Sequence, residues 1–170
     1  FLRYLTAEKN YSAHTIRAYR KDLDDFMLHC ITNYQLKNLT EVHYAMVRDF
    51  VISLSQRGLS MRSINRKCVT LNSFYTYLRT IGAIDTHPLA QHKSIKAKKS
   101  FIVPFSESEV DYAIRQIDRS TFSGLRDATA IELLYSTGMR QAELIGLRVS
   151  DIDWAQQQLR VLGKRNKERL

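Results

Sequence analysis

Residues 60–79 impose the tightest constraint on this chain, because Met61, Ile64, Cys68, Leu71, Tyr75 and Leu78 recur at intervals of three and four. Such spacing gathers apolar side chains on one stripe of an α-helix, and a strand would scatter them over both faces. Ser60 stands where an N-cap belongs, and the stripe needs other helices to bury it. The preceding residues supply them. Ser12 caps an expected helix to about Cys30, with Ile16, Tyr19, Leu23 and Phe26 inward. Thr40 is the expected cap of a third helix, with Met46, Val47, Phe50, Val51 and Leu54 inward and its end at Gly58. With the short run Phe1–Glu8, residues 1–87 form a four-helix domain.

Charge bears on what that domain meets. The chain carries 26 Lys and Arg against 17 Asp and Glu, net +9, with a pI near 9.7. Residues 1–90 hold 12 basic and 7 acidic side chains, residues 91–105 hold four lysines and no acid, and residues 106–170 hold ten of each sign. The excess lies on the first half and points to a polyanion. His14, Arg17 and Lys21 form one stripe, and Arg62, Arg66 and Lys67 lie off the apolar seam. Two readings stand side by side: a wet face on an ordinary core helix, or a set of His14, Thr15, Arg17, Arg62, Arg66 and Lys67 presented to double-stranded DNA. In the second, phosphate contacts supply affinity and one or two arginines read guanine edges. The scarcity of acids near the start of the fourth helix favours DNA.

From Gly82 the pattern changes. Pro88 breaks helix, and residues 88–104 read as a basic linker containing Lys93, Lys96, Lys98 and Lys99. It is either a soluble tether or a strap along a phosphate backbone, with Lys96 and Lys98 as contacts. Residues 105–170 open on a capping box, Ser106 to Glu109, for a helix with Val110, Ala113, Ile114 and Ile117 inward. A largely apolar helix from about Leu125 to Thr137 follows, expected at the domain's centre. Gln157–Leu162 has strand character, and Glu168–Leu170 returns after a turn, giving a hairpin tipped by Lys164, Arg165 and Lys167. That tip is a solvated turn or a DNA probe.

Between these elements, Ser136-Thr137-Gly138-Met139-Arg140 ends one helix and starts another. Gly138 suits a left-handed C′ position, and Arg140 opens the next helix as an anion clamp or as a plain surface arginine. Cys30 and Cys68 read as buried reduced thiols, and the five histidines show no ligand spacing, so no metal is assigned. No apolar run reaches membrane-spanning length and no signal peptide precedes the first helix; the expectation is a cytoplasmic protein with no membrane or small-molecule partner, and a sequence that reads as a fragment.

The block from Thr137 to Leu147 (Thr-Gly-Met-Arg-Gln-Ala-Glu-Leu-Ile-Gly-Leu), followed by Asp151-Ile152 and by Gly163-Lys164-Arg165-Asn166-Lys167-Glu168-Arg169, closely resembles tyrosine recombinases of the phage-integrase and Xer-like type. Ser12, Thr15, Tyr19 and Asp22-Leu23, with Asn65-Arg66 and Phe74-Tyr75, resemble the family's SAM-like core-binding domain. The resemblance implies a mainly α fold: a four-helix core-binding domain, a basic linker and the first part of an α+β catalytic domain. It implies site-specific DNA recombination or integration through a 3′-phosphotyrosine, without cofactor, by a tetramer on synapsed DNA in a nucleoid-associated parent. Arg140 then corresponds to the first catalytic arginine and Lys164 to the hairpin lysine, with Glu143, one turn beyond Arg140, a structural or orienting residue and not a catalyst. The second cluster, His-x-x-Arg and the tyrosine, would lie beyond Leu170, since all nine tyrosines precede Arg140. The chain is therefore expected to bind DNA without cleaving it. A non-catalytic DNA-binding protein of the same fold is the alternative.

Overall fold

The computed structural model describes residues 1–96, 101, 103–163 and 168–170. It divides into two compact units, Phe1–Ser100 and Phe101–Leu170. In the first, α1 (Leu2–Ala7), α2 (Ala13–Tyr34), α3 (Tyr44–Gln56) and α4 (Met61–Thr80) form the expected four helices. The two longest helices, α2 and α4, start where a serine caps them. The Ser12 hydroxyl accepts from the Thr15 N–H, and the Ser60 hydroxyl accepts from the Ser63 N–H at 3.2 Å. Both caps satisfy a donor that the first turn otherwise leaves without a partner.

The core lies where the three–four stripes meet. Phe26, Val47, Phe50, Leu54, Ile64, Leu71 and Tyr75 are almost wholly buried. Phe26 and Phe50 meet edge to face with ring centroids 5.0 Å apart. The Tyr75 hydroxyl, deep among them, donates to the Leu39 carbonyl at 3.0 Å, so its burial leaves no polar atom unsatisfied.

Three boundaries differ from the sequence expectation. The second helix runs past Cys30 to Tyr34 and ends at Gln35 in a left-handed conformation. The third helix does not start at Thr40. The Asn38 side chain caps a separate 3₁₀ turn, Leu39–Glu41, and extended, buried Val42 intervenes before the α-helix begins at Tyr44. Asn38 thus takes the capping role that Thr40 was expected to hold, because an Asx side chain competes well for nearby N–H groups. Part of the expected linker also belongs to the first unit. Leu89 is buried in the core and Ile95 packs against it.

Among the described residues, the second unit holds α5 (Glu107–Arg115), α6 (Phe122–Thr137), α7 (Gln141–Gly146) and four two-residue strands. The capping box forms as expected: Ser106 Oγ accepts from the Glu109 N–H, and Glu109 Oε2 accepts from the Ser106 N–H at 2.8 Å. α6 starts three residues earlier than expected because the Thr121 hydroxyl caps it. Its expected central burial is not found: only Ala128 is buried, and Phe122 and Tyr135 are exposed. The strand expected over Gln157–Leu162 is split by Arg160. β1 (Ile152–Asp153) pairs antiparallel with β2 (Gln158–Leu159). β3 (Val161–Leu162) pairs antiparallel with β4 (Glu168–Arg169), as the hairpin expectation required.

Candidate functional site

Arg140 occupies the N-cap position of α7 in extended conformation, φ −79° and ψ 153°. Gly138 brings it there: with φ +62° it terminates α6, and its N–H donates to the Leu134 carbonyl at 3.1 Å. Met139 between them is buried and anchors the connection. An arginine has no acceptor to offer a helix start, so only one half of a capping box is available to it. Glu143 supplies that half, with Oε2 accepting from the Arg140 backbone N–H at 2.8 Å.

Glu143 also braces the guanidinium. Its Oε1 accepts from Arg140 Nη1 at 2.7 Å, and Oε2 accepts from Arg169 Nη2 at 2.7 Å, across from β4. The carboxylate side chain is 5% exposed and the Arg140 side chain 63%. The Arg140 backbone N–H above all holds Glu143 below the usual carboxylate range, outweighing burial, with the two arginine charges adding to it. The result is a charged, nearly enclosed carboxylate that holds a guanidinium whose side chain stays largely exposed. The contact of Glu143 with Arg140 is legible in its i,i+3 spacing. Its bond to Arg169 was missed, since no local spacing connects residues 26 apart.

Beside this lies an open groove of about 510 Å³ lined by Glu143, Arg148, Asp151 and Arg160, among others. Asp151 organises its wall, accepting from the Arg148 N–H at 3.0 Å and, with its backbone carbonyl, from the Arg160 N–H at 2.8 Å. Lys164, Arg165 and Lys167, like Lys98 in the first unit, lie outside the described residues.

In the first unit, His14 and Arg17 on α2 and Arg62 on α4 are exposed, and Thr15 is half-buried at the Ser12 cap. Lys96 is exposed as well. Lys67 corrects the sequence reading. Its side chain is only 8% exposed, and Nζ donates to Asp22 Oδ1 at 3.2 Å and to Asp25 Oδ2 at 2.8 Å. Asp22, 1% exposed, also accepts from Thr70 Oγ1 at 2.9 Å and from both Nη atoms of Arg66. Arg66 keeps about half its side chain exposed. Arg57 completes the network on Asp25 at 3.1 Å.

The physical reason is charge compensation. A buried carboxylate needs donors, and α4 passes α2 at the positions that supply them. The acids that seemed scarce near the start of α4 are thus present, 45 and 42 residues before Lys67 in the sequence. Asp25 reflects the same balance: burial works to raise its pKa, but hydrogen bonds and charge from Lys67 and Arg57 leave it below the ordinary value.

Two family descriptions match this chain: the phage integrase N-terminal SAM-like domain over residues 1–82, and the phage integrase family over residues 109–170. The chain belongs to the phage integrase family. Both of its units are accounted for, the helical one by the SAM-like domain and the Arg140 unit by the second description. Among relatives in the family, the tyrosine recombinase XerC of Oceanobacillus iheyensis is 38% identical over 169 residues, covering 99% of this chain and 55% of that protein. The XerC of Staphylococcus haemolyticus is 35% identical over 171 residues, covering 99% and 56%. The chain therefore spans about half the length of the curated relatives it matches. A lambda integrase tetramer bound to a Holliday junction shares the fold, with a TM-score of 0.73 at 17% identity, over 99% of this chain and 47% of that one. Among the described residues, no helix is long and apolar enough to cross a membrane.

Proposed function

We propose that this chain binds duplex DNA through the exposed basic side chains of its helical unit and presents Arg140 to a scissile phosphate. It thereby contributes the first part of a tyrosine recombinase active site. The observation that carries the proposal is Arg140 itself: a guanidinium braced by an enclosed Glu143 on a side chain that stays largely exposed. Attack on a phosphodiester concentrates charge on the non-bridging oxygens, and a preorganised guanidinium stabilises that charge more in the transition state than in the ground state. Lys164 is the proposed general acid for the leaving 5′-oxygen.

His14, Thr15, Arg17, Arg62 and Lys96 are the proposed DNA contacts, with Arg66 through its exposed face, and Lys98, Arg165 and Lys167 on the family's pattern. In the parent protein these units work as a tetramer on synapsed DNA in a cytoplasmic, nucleoid-associated setting. Solved structures of similar fold, among them lambda integrase on a Holliday junction and XerH on its difH substrate, support DNA as the ligand. The alternative, a non-catalytic DNA-binding protein of this fold, has no use for the brace that Glu143 gives Arg140.

Fluorescence anisotropy of the 170-residue chain on a labelled duplex, titrated across salt concentrations, tests the reading. Affinity is expected to fall linearly on logarithmic axes with a slope near −0.9 per phosphate contacted. Incubation with a nicked suicide duplex is expected to yield no covalent adduct, because no tyrosine follows Arg140 in the sequence. Absence of salt-dependent binding would remove the DNA proposal, and an adduct would remove the assignment of the nucleophile.

A further inference from the structure

Asn65 sits in the second turn of α4, inside the helix, where an asparagine is a weak helix former. Its side chain does something specific there. Nδ2 donates to the Ile95 carbonyl at 2.8 Å, and Oδ1 accepts from the Ile95 N–H at 3.0 Å. One amide thus satisfies both backbone groups of one residue, as a neighbouring strand would, and fastens an extended segment 30 residues away to the helix. Ile95 packs its side chain on the core, while Lys93, Ser94 and Lys96 around it are exposed. Arg62 lies one helical turn before Asn65 on the same side of α4, and Arg66 is its immediate neighbour. The clamp therefore brings the start of the lysine-bearing segment onto the arginine-bearing part of α4. Between residues 88 and 104 there is no acid to offset it.

We infer that Asn65 is a positioning residue that holds Lys93 and Lys96 beside Arg62 as a single preformed cationic ledge for a DNA backbone. The inference rests on the DNA-binding reading above and deepens it. Residues 93–96 are on this account a strap fixed before DNA arrives. Holding it in advance matters because each backbone residue ordered only on binding weakens association roughly five- to thirty-fold. Leu89 and Ile95 still pack on the core without the amide, so loss of the clamp loosens the strap and leaves the helices folded.

The test is a double-mutant cycle on the 170-residue chain, with anisotropy on a mixed-sequence duplex and hydrogen exchange at the Ile95 amide. Asn65→Ala is expected to speed exchange at Ile95 and to weaken DNA binding roughly tenfold. The pair Lys93→Ala and Lys96→Ala is expected to weaken binding in the parent sequence and to have a clearly smaller effect in the Asn65→Ala background, since delocalised lysines have less to lose. Circular dichroism checks that each variant stays helical. Should Asn65→Ala lose its fold, Asn65→Gln, which keeps the amide but moves it by one methylene, gives the same readouts. Faster exchange at Ile95 with unchanged affinity would overturn the inference and leave DNA binding standing. Additive effects of Asn65 and the lysines would overturn it too. A parent chain that does not bind the duplex would remove both this inference and the DNA reading.

Discussion

Substituting Asp22 by Ala should unfold the helical unit far more readily than substituting Lys67 by Met, although the two side chains share a hydrogen bond. Asp22 is the acceptor for Arg66, Lys67 and Thr70 at once. Its removal leaves the enclosed Lys67 ammonium with Asp25 alone, and leaves Thr70 only a long contact to the Arg66 carbonyl at 3.4 Å. Arg66 is half exposed and turns to water at little cost, so its share is discounted. Removing one partner of a buried charged pair costs about 3–5 kcal/mol, a large part of a domain's total stability of about 5–15 kcal/mol. Lys67→Met keeps the volume of the side chain. It leaves Asp22 with Arg66 and Thr70, and Asp25 with Arg57, so no buried carboxylate is stranded. Its cost should stay below about 1.5 kcal/mol, the range of a conservative core change. Urea unfolding followed by far-ultraviolet circular dichroism measures both; the single tryptophan, Trp154, is in the other unit and reports little on this one. Equal costs for the two variants, or a cost under about 1 kcal/mol for Asp22→Ala, would refute the view that the network is organised around Asp22.

The depressed pKa of Asp25 makes its contribution to stability present at neutral pH and lost as pH falls through the folded-state value. The stability gap between the parent chain and Asp25→Asn should hold steady at neutral pH and narrow below about pH 4 in urea titrations; a gap that widens on acidification contradicts the ion pairing. Burial pushes the Cys30 thiol up to about 11 and raises Cys68 as well. Iodoacetamide at neutral pH should therefore label neither cysteine until urea unfolds the helices, and rapid labelling of the native chain would mean that the core is not closed. Gly138→Ala places a Cβ in the left-handed conformation at φ +62° and should cost the second unit about 1–2 kcal/mol in urea unfolding; an unchanged midpoint would show that the turn into Arg140 does not need glycine.

The sequence by itself determined the helices and most of their starts. A serine three residues before the N–H it caps, at Ser12, Ser60 and Ser106, and a three–four apolar stripe are local signals whose meaning survives without knowledge of the fold. Gly138 and the place of Arg140 at a helix start were legible for the same reason, as was Glu143 at the third position after it. The boundaries that slipped were local competitions: Asn38 capped a 3₁₀ turn where Thr40 was expected to start a helix, and Thr121 captured the start of α6. What only the tertiary structure decided was which basic side chains are free. Lys67 and Arg62 look alike in sequence, both off the apolar seam of one helix. α2 passes close enough to α4 to set Asp22 and Asp25 against Lys67, and leaves Arg62 in solvent. In the same way, Asn65 and Ile95 are joined by two hydrogen bonds across 30 residues that no spacing announces. Caps and stripes depend on neighbours three or four residues apart. Charge compensation and clamping depend on which helices pack together, and that is settled only when the core closes.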